Sequence, residues 1–403
     1  MTEAGTHVLT ADELAERAGV DRESVERYTE LGILDAVEGG YRPVDVARIR
    51  LARSCEQGGV PMDGVAKAIE AGKISFAFLD LPQYQWSPLT ERNYGQVAQE
   101  LGMSVEVMQR TSEALGLPPP SADDPIREDD LELMRIFGFT RAWEADDESL
   151  LRVVRVYGEA LRRVVQAEAA WFRARIQGPL LASGMSFTQV MQAASEFGAG
   201  YVDYMDRALL HMYHRQQEHE WIDGLVVNIE EALEDLGVYR RLERPPAMCF
   251  LDLSGYTRLT EERGDRAAAE MAGALAHVAQ RTSQHHGGMP VKWLGDGVMF
   301  WFREPAEAVV ASLEMIERAP EAGLPPAHVG LAAGPVVQQD GDYYGKTVNL
   351  AARISARAGP SEVLVTGEVV EASPKDGVRF AEVGPAELKG FTTPVMLHRA
   401  TRR

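Results

Sequence analysis

Two aspartates carry the strongest chemical signal in the chain. Asp252 ends an apolar run, Ala247-Met248-Cys249-Phe250-Leu251, and is followed by Leu253-Ser254-Gly255-Tyr256-Thr257. Asp296 lies between glycines in Lys292-Trp293-Leu294-Gly295-Asp296-Gly297, directly ahead of a second apolar run, Val298 to Phe302. A strand that delivers an aspartate into a glycine-containing turn sets the carboxylate beside backbone N–H groups. Carboxylate oxygens suit hard cations such as Mg²⁺, and clustered amides suit phosphate oxygens. Taken singly, an aspartate at a strand end has a plainer reading as a helix cap. The pair with its glycines points to chemistry on a nucleoside triphosphate.

Positioning such a pair requires strands and tight turns. Apolar strand-like runs at 247–252, 298–302, 328–333 and 362–366 alternate with helical patterns at 266–284, 305–318 and 347–358. That is an α/β pattern of about 150 residues, a normal domain size. Glu243-Arg244-Pro245-Pro246 marks its start. Upstream, Leu150 to Ile176 and Phe187 to Leu236 carry apolar residues at helical spacing without internal proline, and Gly178-Pro179 punctuates the first of them.

The first third reads as short helices. Thr10 can cap Ala11 to Ala18, Gly19-Val20-Asp21 turns into Arg22 to Leu31, and Gly39-Gly40-Tyr41-Arg42 suits a tight hairpin before a helix from Val44. The motif Leu14 to Val20, with Tyr28, Gly32 and Gly40-Tyr41-Arg42-Pro43-Val44-Asp45-Val46, resembles the winged helix-turn-helix of MerR-type regulators. The pattern recurs: Val97 to Met103 matches Leu14 to Val20, Glu106 and Arg110 match Glu23 and Arg27, and Ile126 to Leu131 echoes Tyr41 to Val46. A degenerate internal duplication follows. Pro118-Pro119-Pro120 and Ser121 to Pro125 fall where the second wing belongs, a composition that also suits a linker.

Composition bounds the rest. The 403 residues exceed one ordinary core, so two or three domains are expected. An apolar fraction of 45% and a charged fraction of 25% belong to a water-soluble globular chain. No apolar stretch nears the roughly 18 residues of a membrane span, and Met1-Thr2-Glu3-Ala4 does not read as a signal peptide. Cys55 and Cys249 read as free thiols, which places the protein in a reducing cytoplasm. A formal charge of −20 argues against a general nucleic-acid or anionic-membrane surface.

From about residue 246 to 400, five segments stand in the order seen in class III nucleotidyl cyclases, and the resemblance is close. They are Phe250 to Thr257, Lys292 to Gly297, Asp342, Val348-Asn349-Leu350-Ala351-Ala352-Arg353 and Leu388-Lys389-Gly390. The resemblance implies a ferredoxin-like, βαββαβ-type α/β catalytic domain behind a mostly α-helical regulatory region. It implies attack of the ribose 3′-oxygen on the α-phosphorus with loss of pyrophosphate. Asp252 and Asp296 are then the ligands of two Mg²⁺ or Mn²⁺ ions about 4 Å apart. The amides of Leu253, Ser254, Gly255, Tyr256 and Thr257, with Lys389, take the phosphates. Asn349 positions the ribose and Arg353 meets charge developing at the α-phosphoryl group. Lys292 and Asp342 form a donor–acceptor pair complementary to adenine N1 and N6, which implies ATP rather than GTP. Gly341 to Thr347 looks like a phosphate loop but has three residues between its glycines instead of four.

In that family one catalytic domain supplies metal and phosphate ligands while its partner supplies base recognition and the transition-state pair. This chain holds both sets on one catalytic domain, so a C₂ homodimer with two equivalent sites is expected. The long helical region resembles that of autoinhibited, pH-responsive bacterial class III cyclases. The expected layout is a MerR-like domain over 1–80, a helical regulatory, sensor and dimerisation region over 81–245, and the catalytic domain over 246–403. His211, His214 and His219 beside Glu218 and Glu220 make a proton one candidate signal, against the plainer reading of a solvated helix face. Met185, Phe187, Met191 and Phe197 suit a lipid or small-molecule pocket, or simply a helix core. The rival to the enzyme is a DNA-binding transcriptional regulator whose cyclase-like domain only binds nucleotide. Residues 1–80 carry nine Lys or Arg against fifteen Asp or Glu, a balance of −6, which makes duplex DNA an unfavourable partner.

Overall fold

A computed structural model of the chain describes residues 8–76, 79, 87, 89–144, 146–238, 245–373 and 377–403, without the side chains of 188, 195, 196, 198–200, 203 and 223. The chain divides into two compact units, Met1–Asn228 and Ile229–Arg403. Of the proline-containing boundary expected from sequence, Glu243 and Arg244 lie outside the described residues.

The first unit opens with helices α1 (Ala11–Ala18) and α2 (Arg22–Glu30). Thr10 and Glu13 form a reciprocal capping box, Gly19 ends α1 in the left-handed conformation, and Asp21 caps α2. The wing is two isolated bridges, Leu9 to Tyr41 and Val37 to Gly40. Gly40 is required there, because a Cβ would sit 2.2 Å from the carbonyl oxygen of Leu9. Helices α3 (Asp45–Gln57) and α4 (Met62–Glu70) close the unit over Leu14, Val25, Tyr28, Ile33 and Ile49.

The duplicated pattern is a duplicated fold. Strand β1 (Leu89–Asn93) leads into α5 (Tyr94–Leu101), where Asn93 and Gln96 repeat the capping box and Gly102 repeats the left-handed stop. Ser104 caps α6 (Val105–Ala114), and β2 (Pro125–Arg127) pairs antiparallel with β1 before α7 (Glu128–Arg141). The proline-rich stretch therefore forms the largely exposed connection into β2 where the second wing belongs, tied down by the Gln109 amide donating to the Pro120 carbonyl at 2.9 Å.

Helix α8 (Asp147–Phe172) runs into a π-helical turn, Arg173–Gln177, and then α9 (Gly178–Ala182). The expected stop at Gly178-Pro179 is corrected here. Helical backbone continues through Pro179 to Ala182, and the bonding lost to the proline is absorbed by the π turn just ahead of it. Helix α10 spans Phe187–Asp235. Tyr157 on α8 and Tyr213 on α10 join hydroxyl to hydroxyl at 2.9 Å.

The second unit is built on β3 (Ala247–Leu253), α11 (Tyr256–Arg263), α12 (Asp265–His285), β4 (Gly288–Trp293), β5 (Gly297–Phe302), α13 (Pro305–Glu321) and β6 (Ala327–Ala333). These strands lie in the order β6-β3-β5-β4, all antiparallel, which is the ferredoxin-like βαββαβ arrangement. The chain continues through a small hairpin, β7 (Val337–Gln339) and β8 (Asp342–Tyr344), to α14 (Lys346–Ser355), β9 (Val363–Thr366), α15 (Gly367–Ala372), β10 (Val378–Ala386) and β11 (Val395–Arg402). The last strands extend the sheet to seven, in the order β10-β11-β9-β6-β3-β5-β4.

Both faces are covered. Ala247, Cys249, Leu251 and Leu253 pack with Met271, Leu275 and Val309 from α12 and α13. Met248 packs on the opposite face with Ala351 and Ile354 of α14. Strand alternation then puts Asp252 at the open end of the α14 face.

Candidate active site

The two aspartates are neighbours. Asp252 pairs with Gly297 in the β3–β5 ladder. The turn that carries Asp296 is closed by the Leu294 N–H donating to the Gly297 carbonyl at 2.8 Å. Gly297 keeps the carboxylate free, since a Cβ there would lie 3.1 Å from Oδ1 of Asp252 and 3.0 Å from the Leu251 carbonyl. Burial raises the Asp252 pKa above the ordinary carboxylate value, the nearby Asp296 charge raises it further, and His328 opposes both. A half-buried carboxylate beside a second aspartate is a hard-oxygen donor set, so the residues fit Mg²⁺ or Mn²⁺. Among the described residues no group of three or more His, Cys, Asp or Glu is arranged to hold a metal ion, so further ligands would come from phosphate and water.

Two of the five amides expected to take phosphate have backbone acceptors of their own. The Leu253 N–H donates to the Asp296 carbonyl at 3.3 Å and the Ser254 N–H to the Pro326 carbonyl at 2.9 Å. These two amides are engaged by the sheet's own backbone and drop out of the expected set. Gly255, with φ +75°, turns the chain into α11. The N–H groups of Gly255, Tyr256 and Thr257 stand at the start of α11, where a helix's first N–H groups have no intrahelical acceptor.

Lys292 and Asp342 come together from β4 and β8. The ammonium donates to Oδ2 of Asp342 at 2.6 Å, and Oδ1 accepts the Tyr343 N–H at 2.9 Å. Lys292 is about half exposed and Asp342 is mostly buried. The supposed phosphate loop is a hairpin: Asp340 and Gly341 take φ of 55° and 73° between β7 and β8, the backbone of a two-residue primed turn.

Asn349 and Arg353 lie on the exposed side of α14, whose other side is fixed by Ala351 and Ile354. Lys389 is exposed in the β10–β11 loop, between buried Leu388 and the left-handed Gly390. Sequence reading missed His328. Its signal was available, because alternation along Ala327 to Ala333 sets it on the same face as Gly330, beside α14.

A ferredoxin-like sheet with facing aspartates, a Lys–Asp pair and an Asn–Arg helix defines a nucleotidyl cyclase catalytic domain. Residues 240–399 match the family model of the adenylate and guanylate cyclase catalytic domain, and residues 9–72 match the MerR HTH family regulatory protein. The C-terminal region is thus similar to class III cyclase catalytic domains, and the N-terminal region to MerR-type regulators. An uncharacterized protein of Mycobacterium tuberculosis is 28% identical over 319 residues, covering 77% of this chain and 79% of its own. A pH-sensitive adenylate cyclase of the same species is 27% identical over 321 residues, 76% and 77% of the two chains. An adenylate cyclase of Streptomyces coelicolor is 28% identical over 279 residues, 68% and 70%. Among solved structures, an adenylyl cyclase from P. aeruginosa is 21% identical and covers 40% of this chain and 95% of its own, with a TM-score of 0.36.

Proposed function

We propose that the protein is an adenylate cyclase that converts ATP to 3′,5′-cyclic AMP and pyrophosphate at a homodimer interface. The reading is carried by the Lys292–Asp342 pair standing in the same domain as the facing carboxylates Asp252 and Asp296. Lys292 donates to adenine N1 and Asp342 accepts from N6, a pattern guanine does not satisfy. Asp252 and Asp296 would hold two Mg²⁺ or Mn²⁺ ions, which acidify the ribose 3′-hydroxyl and neutralise phosphate charge. The amides of Gly255, Tyr256 and Thr257 take the phosphates, with Lys389 as a point charge beside them. Asn349 hydrogen-bonds the ribose, and Arg353 faces the charge that grows at the α-phosphoryl group.

Exposure supports a second copy. Trp293, Leu294 and Tyr344, on the hairpins that bear Asp296, Lys292 and Asp342, are 45%, 46% and 50% exposed. Such apolar residues beside a site are the surface a C₂ partner would cover.

The front end, over 1–80 and 81–245, regulates how catalytic domains over 246–403 meet. The name of the pH-sensitive relative supports a proton as the signal, and His211, His214 and His219 are exposed on α10. DNA is a poor partner, because the cations of the groove-reading helix are already engaged: Arg22 bonds Asp12 and Glu26, and Arg27 pairs with Glu56. No helix among the described residues is long and apolar enough to cross a membrane, in keeping with a cytoplasmic enzyme.

Incubating the full chain with ATP or GTP and each metal, then identifying the product by mass, tests the reading. Cyclic AMP from ATP is expected, and cyclic GMP alone, or no cyclic product at all, overturns it.

A further inference from the structure

His328 stands opposite Asp252 and takes no part in the chemistry above. The antiparallel register of β3 and β6 pairs the two residues directly, so their side chains rise from one face of the sheet. The imidazole is only 11% exposed, with Nε2 3.7 Å from Oδ2 of Asp252. Its Nδ1 lies 3.1 Å from Oγ of Ser254. Ser254 is itself anchored through its N–H to the Pro326 carbonyl at 2.9 Å. The ring is thus held at one nitrogen and aimed at a carboxylate with the other.

We propose that His328 is a positioning residue: with the Ser254 hydroxyl donating to Nδ1, the ring proton sits on Nε2 and orients the Asp252 carboxylate for the cation. The separation of 3.7 Å is longer than a hydrogen bond, so the influence is electrostatic and orientational. An aspartate on a strand end, pressed by a second aspartate, otherwise samples several rotamers, and ordering it on binding costs affinity. Partners behind a metal ligand commonly matter tenfold to a hundredfold in affinity. This inference rests on the cyclase reading, within which Asp252 is a metal ligand.

The test is Mn²⁺ binding to the full-length chain without nucleotide, read as free Mn²⁺ by electron paramagnetic resonance. His328→Leu removes both ring nitrogens at similar volume and is expected to raise the Mn²⁺ dissociation constant about tenfold. The KM for ATP at saturating Mn²⁺ should stay within about twofold, since no phosphate or base contact changes. His328→Gln, which places an amide N–H near the Nε2 position, should restore most of the affinity. Ser254→Ala, which frees the ring, should weaken binding in the same direction and less. Unchanged affinity in both His328→Leu and Ser254→Ala overturns the proposal, as does equal loss in His328→Leu and His328→Gln. A wild-type chain that binds no Mn²⁺ overturns it as well. Should the leucine variant not fold, as seen by its melting curve, Ser254→Ala and His328→Gln carry the same comparison. Failure of the cyclase reading shows separately, as absence of cyclic product from a wild-type chain that still binds Mn²⁺.

Discussion

On the proposed function, base choice rests on two side chains that already hold each other, Lys292 and Asp342. On the proposed reading adenine enters between them, with the Lys292 ammonium donating to N1 and Asp342 accepting from N6. Each mismatched donor or acceptor in such a site costs about 1–3 kcal/mol. Replacing Lys292 with Glu, an acceptor for guanine N1–H and N2–H, and Asp342 with Cys, a donor to O6, is therefore expected to lower kcat/KM for ATP at least tenfold and raise the cyclic GMP share. Product ratios from an equimolar ATP and GTP mixture check this, and an unchanged ratio would place base recognition elsewhere. The cysteines give a second measurement at this scale. Full burial pushes the Cys249 thiol up to about 12, while Cys55 is partly exposed. A thiol reagent at pH 8 should titrate one cysteine in the native chain and both in denaturant.

Helix α14 and the strand beneath it show how an element aims side chains. Gly330 on β6 lets the helix close on the sheet, because a Cβ there would lie 2.0 Å from the Ser355 nitrogen and 2.6 Å from the Ala351 carbonyl. Those are backbone atoms and cannot swing aside. Gly330→Ala is expected to lift α14, displace Asn349 and Arg353, lower kcat at least tenfold and cost about 1–3 kcal/mol of stability. Activity and thermal melting of the variant decide it, and wild-type values in both would show that the contact is not needed. In the second winged-helix unit, burial raises the Asp130 pKa, and its carboxylate accepts from the Tyr94 hydroxyl at 3.1 Å. The folded carboxyl then keeps its proton to higher pH than the unfolded one, so this group's contribution falls as pH rises through that window. Asp130→Asn should raise the melting temperature at pH 7, with the gain shrinking toward pH 3, where the wild-type carboxyl is protonated. A gain independent of pH would sink the assignment to ionisation. The paired capping boxes at Thr10 and Asn93 were legible as sequence because capping is a local bond between near neighbours. The π turn at Arg173–Gln177 left no such mark, and sequence reading stopped the helix there.

For the whole molecule, the proposal of a shared site makes a quantitative demand. Asp252→Ala and Arg353→Ala chains should each lose nearly all activity. In an equimolar exchanging mixture, half the dimers hold one of each chain, and one of their two sites has both residues intact, so about a quarter of wild-type activity should return. No recovery under conditions where exchange is demonstrated would argue for a site complete within one chain. Much of this organisation could be read from the chain alone. Strand and helix periods, the glycine-flanked aspartates and the order of the five segments are properties of residues a few positions apart, and each keeps its meaning without a fold. Only the tertiary structure decided which distant residues meet. Lys292 and Asp342, 50 positions apart, bond because β4 and β8 converge. Asp252 faces His328 because the β3–β6 register sets them opposite. The amides of Leu253 and Ser254 are taken by the carbonyls of Asp296 and Pro326 from segments distant in sequence. Register and hydrogen-bond competition belong to the assembled sheet, where one residue of slip would exchange every partner, and no local pattern encodes them.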